Sequence, residues 1–186
     1  MVDPATTTPA GGSGPRTAPA PAEDSAPRTP PAAGATAEVV PLLERRAIRL
    51  NERASDRDDA IRRCGDTLVE IGAVDPAYVE AMLERERSIS TYVGEGVAIP
   101  HATLAGKAAV RRDALTVLRF PDGVDWDGEQ VAVCVGIAAV GDGHVAILAE
   151  LAQILLDPDR AAALREATEA DAVLELLEPV GKDGTE

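Results

Sequence analysis

Apolar residues recur at helical spacing in several separate stretches of the chain and run almost unbroken in one. Ile61, Cys64, Leu68 and Ile71 fall on one helical face, with Asp56 placed to cap it, Asp59 in the favoured first turn and Gly72 closing it. A second helix is predicted from Asp75-Pro76, a cap followed by proline at the first helical position. It carries Val79, Met82 and Leu83 inward and runs out near Arg87-Ser88. Asp142 opens a third helix, whose stripe is Val145, Leu148, Leu151, Ala152 and Leu155. Asp157-Pro158 caps a fourth that reaches about Glu166, and Val173, Leu174, Leu176 and Leu177 mark a short fifth.

Before the first helix, and again between the second and third, the pattern changes to that of strands. Ala47-Ile48-Arg49-Leu50 alternates weakly and reads as a first strand. Val97-Ala98-Ile99 is a short one, and Ala114 to Phe120 another. Val131 to Ala139 is apolar at both alternating positions, as in a central strand covered on both sides. Pro121-Asp122-Gly123 and Trp126-Asp127-Gly128 are turn signals. The order is strand, two helices, several strands, then three helices, which puts helices on both faces of the sheet. The expectation is a three-layer α/β/α sandwich with a mixed sheet. The βαβαβ alternation of a doubly wound nucleotide fold is missing, as are GxGxxG and GxxxxGK[ST], so no bound nucleotide is expected.

Composition divides the chain. Residues 1–41 hold nine of the fourteen prolines, among runs of Ala, Thr and Gly, with almost nothing large and apolar to bury. Such a tail does not offset its ordering entropy and is expected to be disordered, as are residues 181–186. Residues 42–180 are expected to form the folded domain. The tail lacks the basic start and apolar core of a signal peptide.

The net charge is −14, and nearly all of it falls outside the tail. Nucleic acid is therefore not expected as a partner, since phosphate backbones call for basic patches. A basic protein face fits this charge, and so does a merely soluble acidic surface. The longest apolar run, Val131 to Gly141, is far short of the ~20 residues of a membrane span. A cytoplasmic location without membrane insertion is expected. Cys64 and Cys134 lie far apart with no CxxC, and read as small core residues of a reducing compartment. No metal-ligand spacing is present, and neither metal nor cofactor is expected.

The chemistry concentrates in Gly94-Glu95-Gly96-Val97-Ala98-Ile99-Pro100-His101-Ala102-Thr103. The chain has only two histidines, and the second, His144, also sits among small residues, Gly141-Asp142-Gly143-His144. Histidine gains and loses charge, or attacks a phosphoryl group, near neutral pH. Small neighbours around His101 leave room for a partner's reacting group. His144, second in a helix, would be kept neutral by the helix dipole, which also favours a nearby phosphoryl anion. A solvent-exposed histidine in a capping loop is the other account of it. Arg85 suits bidentate phosphate contact, or alternatively an i,i+4 ion pair with neighbours such as Glu80 or Glu84. Lys107, Arg111 and Arg112 offer phosphate contacts or a solvated basic loop. Glu95 offers to orient the imidazole or merely to occupy a turn. Phe120 and Trp126 read as pins of a strand connection.

Ala81-Met82-Leu83-Glu84-Arg85-Glu86 followed by Thr91-Tyr92-Val93-Gly94-Glu95-Gly96-Val97-Ala98-Ile99-Pro100-His101 resembles the enzyme IIA domain of the bacterial sugar phosphotransferase system, mannitol/fructose type, within it the mannitol branch. The likeness extends from about Leu42 to Pro179, and includes Gly136-Ile137-Ala138-Ala139, the Gly-His of the capping loop and Val173-Leu174-Glu175-Leu176-Leu177. It departs at Ala102, where the family often has glycine, and in a somewhat shorter loop around Trp126. The resemblance implies that His101 is the phosphohistidine, loaded by phospho-HPr and unloaded onto a cysteine of the IIB component of a IIB/IIC permease, with Arg85 and His144 in support. It implies mannitol, a related hexitol or fructose as the sugar. Two other readings remain open. One is a regulatory protein like the nitrogen-related IIA proteins; the other is an interaction module whose histidine is idle.

Overall fold

The computed structural model describes residues 40–181. The expectations of disorder at residues 1–39 and 182–186 lie outside the described residues. Strand β1 (Leu43–Arg49) leads to helices α1 (Arg57–Glu70) and α2 (Ala77–Ser88). Two short strands follow, β2 (Tyr92–Gly94) and β3 (Val97–Ala98), then a 3₁₀ turn (Leu104–Ala109). Strands β4 (Ala114–Trp126) and β5 (Glu129–Ala138) form a long hairpin, and helices α3 (Gly143–Leu155), α4 (Pro158–Glu166) and α5 (Ala170–Leu177) complete the order.

The five strands make one sheet, β1-β4-β5-β3-β2. β1 runs parallel to β4 and β3 parallel to β5, while the β4–β5 and β2–β3 pairs are antiparallel. The sheet is therefore mixed, as expected. On β5 Val131, Val133, Val135 and Ile137 face one side and Cys134, Gly136 and Ala138 the other, and all are buried. Alternating residues buried on both faces require cover on both. α1 packs across β4 and β5 with α2 against it, and α4 and α5 pack on β5 and β1 with α3 against them.

The first helix forms as predicted. The Asp56 carboxylate accepts the Asp59 N–H at 2.8 Å, and the Asp59 carboxylate reaches back to the Ser55 N–H at 2.9 Å. That backbone bond holds the Asp59 carboxyl below its ordinary range, against a partial opposing effect of burial.

Three local expectations are corrected. Pro76, not Asp75, occupies the cap of α2, with no side-chain cap bond, because the Asp75 carboxylate is drawn to Arg111 (Nε–O 2.7 Å). Pro121-Asp122-Gly123 is not a turn: β4 runs through it as a bulge, with the register shifting between Arg119 and Val124. Gly123 takes φ +73°, and the strand resumes because Val124 and Trp126 are buried by continuing it. The reversal falls at Asp127-Gly128, where both residues have positive φ, as a two-residue hairpin turn requires. In α3 the buried stripe is Ile147, Leu151 and Ile154, while Val145 is 60% exposed. Leu151 is buried as expected and Leu148 and Leu155 pack partly against the core, while Val145 and Ala152 face outward, so the buried stripe is rotated from the one read in the sequence.

Candidate functional site

His101 follows β3 at a point where the backbone is held from both sides. It bridges Ile137 in parallel register, and the Ile137 N–H donates to the Pro100 carbonyl at 2.9 Å. From α2, the buried Tyr78 hydroxyl donates to the Ile137 carbonyl at 2.6 Å and accepts the Ala102 N–H at 3.3 Å. Burial pushes the Tyr78 phenol up to about 12, so it stays protonated and able to donate.

The imidazole is fixed by one bond, Nδ1 to the Ile99 carbonyl at 2.8 Å. A carbonyl only accepts, so Nδ1 carries the proton and Nε2 keeps its lone pair. Burial pushes the His101 pKa below the ordinary histidine value. The Ile99 bond opposes that shift, Arg85 and His144 add to it, and Glu86 opposes it. The ring is therefore neutral at neutral pH, with a lone pair available for nucleophilic attack.

His101 opens into a cleft of about 580 Å³, which Arg85, His144, Tyr78, Thr103 and Lys107 also line. Sequence positions 85, 101 and 144 thus meet in one place, which no local pattern specifies. Arg85 donates through Nη1 to the Ile89 carbonyl at 2.6 Å, and it is Arg87, not Arg85, that reaches Glu80 (3.5 Å). His144 is the second residue of α3. Its Nδ1 is buried and has no hydrogen-bond partner among the described residues, and the same holds for Thr103 Oγ1. Two unmet polar atoms lining one cleft give it spare capacity for a polar ligand. Asp142 makes no side-chain cap bond to α3. Its carboxylate takes Lys107 Nζ at 2.9 Å instead, which lowers its pKa and anchors the lysine at the cleft.

The remaining candidates fall elsewhere. Arg111 pairs with Asp75, and Arg112 with Glu44 and the Ile71 carbonyl (2.9 Å). Both brace the scaffold. Glu95 sits at φ 53° in the turn between β2 and β3 and binds Arg165, not the imidazole. Phe120 and Trp126 are buried, as pins of the β4–β5 hairpin. Cys64 and Cys134 are fully buried, and burial pushes the Cys134 thiol well up, the opposite of a reactive thiolate. Two residues that matter here were missed in the sequence, Tyr78 and Glu86. Glu86 lies one turn beyond Met82 on the inward stripe of α2, and a carboxylate in an apolar stripe was the available signal.

No helix among the described residues is long and apolar enough to cross a membrane, and no group of three His, Cys, Asp or Glu among them is placed to hold a metal ion. The family model for the phosphoenolpyruvate-dependent sugar phosphotransferase system, EIIA 2, matches residues 41–179. The chain is 39% identical over 131 residues to the mannitol-specific phosphotransferase enzyme IIA component of Staphylococcus aureus (strain Mu50 / ATCC 700699), covering 70% of this chain and 91% of that one. It is 37% identical over 135 residues to the corresponding component of Enterococcus faecalis (strain ATCC 700802 / V583), covering 70% and 93%. Among solved structures, it superposes on enzyme IIA mannitol of Escherichia coli, in complex with phosphorylated enzyme IIB mannitol, with a TM-score of 0.69 at 34% identity, covering 74% of this chain and 99% of that one. The chain therefore belongs to the EIIA 2 family of the phosphoenolpyruvate-dependent sugar phosphotransferase system.

Proposed function

We propose that His101 is the phosphohistidine of a cytoplasmic IIA phosphocarrier for mannitol, a related hexitol or fructose, and that residues 42–180 are its phosphotransfer domain. One observation carries the reading: the Nδ1–H bond to the Ile99 carbonyl at 2.8 Å, which leaves Nε2 as the nucleophile at the cleft. The Nε2 lone pair attacks the phosphorus of phospho-HPr. The new N–P bond forms as the donor's P–N bond breaks, and that electron pair returns to the donor imidazole. A cysteine thiolate of the IIB component then takes the phosphoryl group from His101 in the same way. Such transfers ask the protein mainly for position and charge stabilisation. Arg85 supplies a planar guanidinium for the phosphoryl oxygens. His144 supplies an N–H donor from the start of α3, where the helix dipole also favours an anion. Transport rather than regulation is supported by mannitol-specific relatives at 37–39% identity. The nitrogen regulatory IIA protein of Neisseria meningitidis, at 24% identity, shares the fold.

The test is incubation with phosphoenolpyruvate, enzyme I and HPr, then with a mannitol IIB component. The expected result is one acid-labile, base-stable phosphate, absent in His101→Ala, which keeps its fold, and transfer of that phosphate to IIB. Labelling that persists in His101→Ala would overturn the site. Labelling without transfer to any sugar IIB would favour the regulatory reading.

A further inference from the structure

A carboxylate is buried behind the reacting histidine, and the chemistry above makes no use of it. Glu86, on α2, is only 4% exposed. Among the described residues no cation pairs with it. Its charge is met by four neutral donors instead. Trp126 Nε1 donates to Oε1 at 2.8 Å, and the Ser90 hydroxyl to the same oxygen at 3.0 Å. The Thr91 N–H and hydroxyl both donate to Oε2, at 2.9 and 2.5 Å. A buried charge costs heavily unless it is hydrogen-bonded, and here every bond is made. An apolar residue at this point in the stripe of α2 would spare that desolvation.

The bonds lead to the phosphoacceptor. The Thr91 carbonyl accepts the Ile99 N–H at 3.0 Å, and the Ile99 carbonyl accepts His101 Nδ1–H at 2.8 Å. The hydrogen-bonded chain runs Trp126 and Thr91 to Glu86, Thr91 to Ile99, and Ile99 to the ring. Glu86 thus holds the residue that holds the peptide that orients the imidazole. Its charge matters as well. When Nε2 gives its lone pair to phosphorus while Nδ1 keeps its proton, the ring becomes cationic. Arg85 and His144 disfavour a cation on that ring, while the Ile99 carbonyl and, less strongly, Glu86 favour it.

We propose that Glu86 is a positioning residue for phosphoryl transfer, bracing the Ile99 carbonyl under His101 through Thr91 and offsetting the positive charge the imidazole develops. This rests on the reading of His101 as the phosphoacceptor. Low dielectric around the carboxylate makes its field on the ring stronger than a surface charge would be.

Two variants test it in the full chain. Glu86→Gln keeps the size and removes the charge. Thr91→Val removes one donor and keeps the carboxylate. The readouts are the rate of phosphate uptake from phospho-HPr, the melting temperature, and the His101 ring nitrogens followed by ¹⁵N NMR against pH. In Glu86→Gln the ring is expected to titrate at lower pH than in the wild type, with a smaller Nδ1–H fraction. Phosphate uptake is expected to slow by about tenfold or more, the range for losing a bond to a charged group. In Thr91→Val the Nδ1–H fraction also falls, with a smaller drop in rate. If Glu86→Gln does not fold, Thr91→Val decides alone. A folded variant with wild-type ring titration, tautomer and rate would overturn the proposal, as would a loss of rate matched by lost folded protein with an unchanged ring. Should the wild type take up no phosphate on His101, the phosphocarrier reading fails, yet the NMR comparison still decides whether Glu86 sets the ring.

Discussion

A histidine in water titrates near pH 6.5, and the ring of His101 is pushed below that by burial. As pH falls below about 6.5, the unfolded chain takes up this proton before the folded one does. The neutral ring's contribution to stability is therefore full above that pH and lost as pH falls through the folded pKa. An NMR titration of the ring is expected to give a midpoint below the free-histidine value, and phosphate uptake is expected to survive into the same acidic range. A midpoint at or above 6.5 would contradict the burial argument. His144 makes a separable claim. If it donates to the phosphoryl oxygens, a bond worth about 1.5–3 kcal/mol, His144→Ala slows transfer roughly ten- to hundredfold. His144→Gln retains an amide donor and more activity, and both variants melt like the wild type. Equal transfer by wild type and His144→Ala would remove that role. The motif around His101 marked it in the sequence as the candidate phosphoacceptor. Glu86 and Tyr78 were not legible, because a carboxylate and a phenol on a helix stripe reveal their bonds only once the chain after α2 folds Thr91 back and Trp126 and Ile137 arrive from distant positions.

Four helices began with an aspartate in the sequence pattern, and the structure treats the first and third of these differently. Asp56 caps α1 through the Asp59 N–H at 2.8 Å, while Asp142 leaves α3 uncapped and binds Lys107. Removing a cap costs about 1 kcal/mol, and an exposed ion pair contributes less. Denaturant unfolding is expected to show Asp56→Ala destabilised by about 1 kcal/mol and Asp142→Ala nearly unchanged. Equal losses would mean the cap distinction is wrong. The strand elements teach the same lesson. Pro-Asp-Gly at 121–123 carries turn chemistry, but burial of Val124 and Trp126 outweighs it and β4 continues as a bulge. Local propensity is weak beside the burial of a tryptophan and a valine.

At the scale of the molecule, the decisive contact is α1 against the centre of the sheet. Gly136 on β5 lies directly beneath it: a Cβ there would meet Thr116 Cγ2 at 2.6 Å and Cys64 Cβ at 3.2 Å. Both neighbours are fully buried on rigid elements, so neither yields cheaply. Gly136→Ala is expected to lower stability by about 1–3 kcal/mol through overpacking, read as a fall in melting temperature. An unchanged melting temperature would show that α1 can shift without cost.

The linear pattern by itself determined most of the element types, the mixed sheet between two helical layers and the motif that singles out His101 as the candidate. Each of these rests on periodicity or on a contiguous motif, which are properties of neighbours along the chain. Only the tertiary structure decided which candidates share a cleft. Arg85, His101 and His144 converge there, while Arg111, Arg112 and Glu95 are taken up by Asp75, Glu44 and Arg165. It also decided the ring's tautomer, the face that α3 buries and the carboxylate behind the site. Hydrogen bonds and ion pairs join residues tens of positions apart, and which partner a side chain finds follows from how helices and strands pack, not from its place in the sequence.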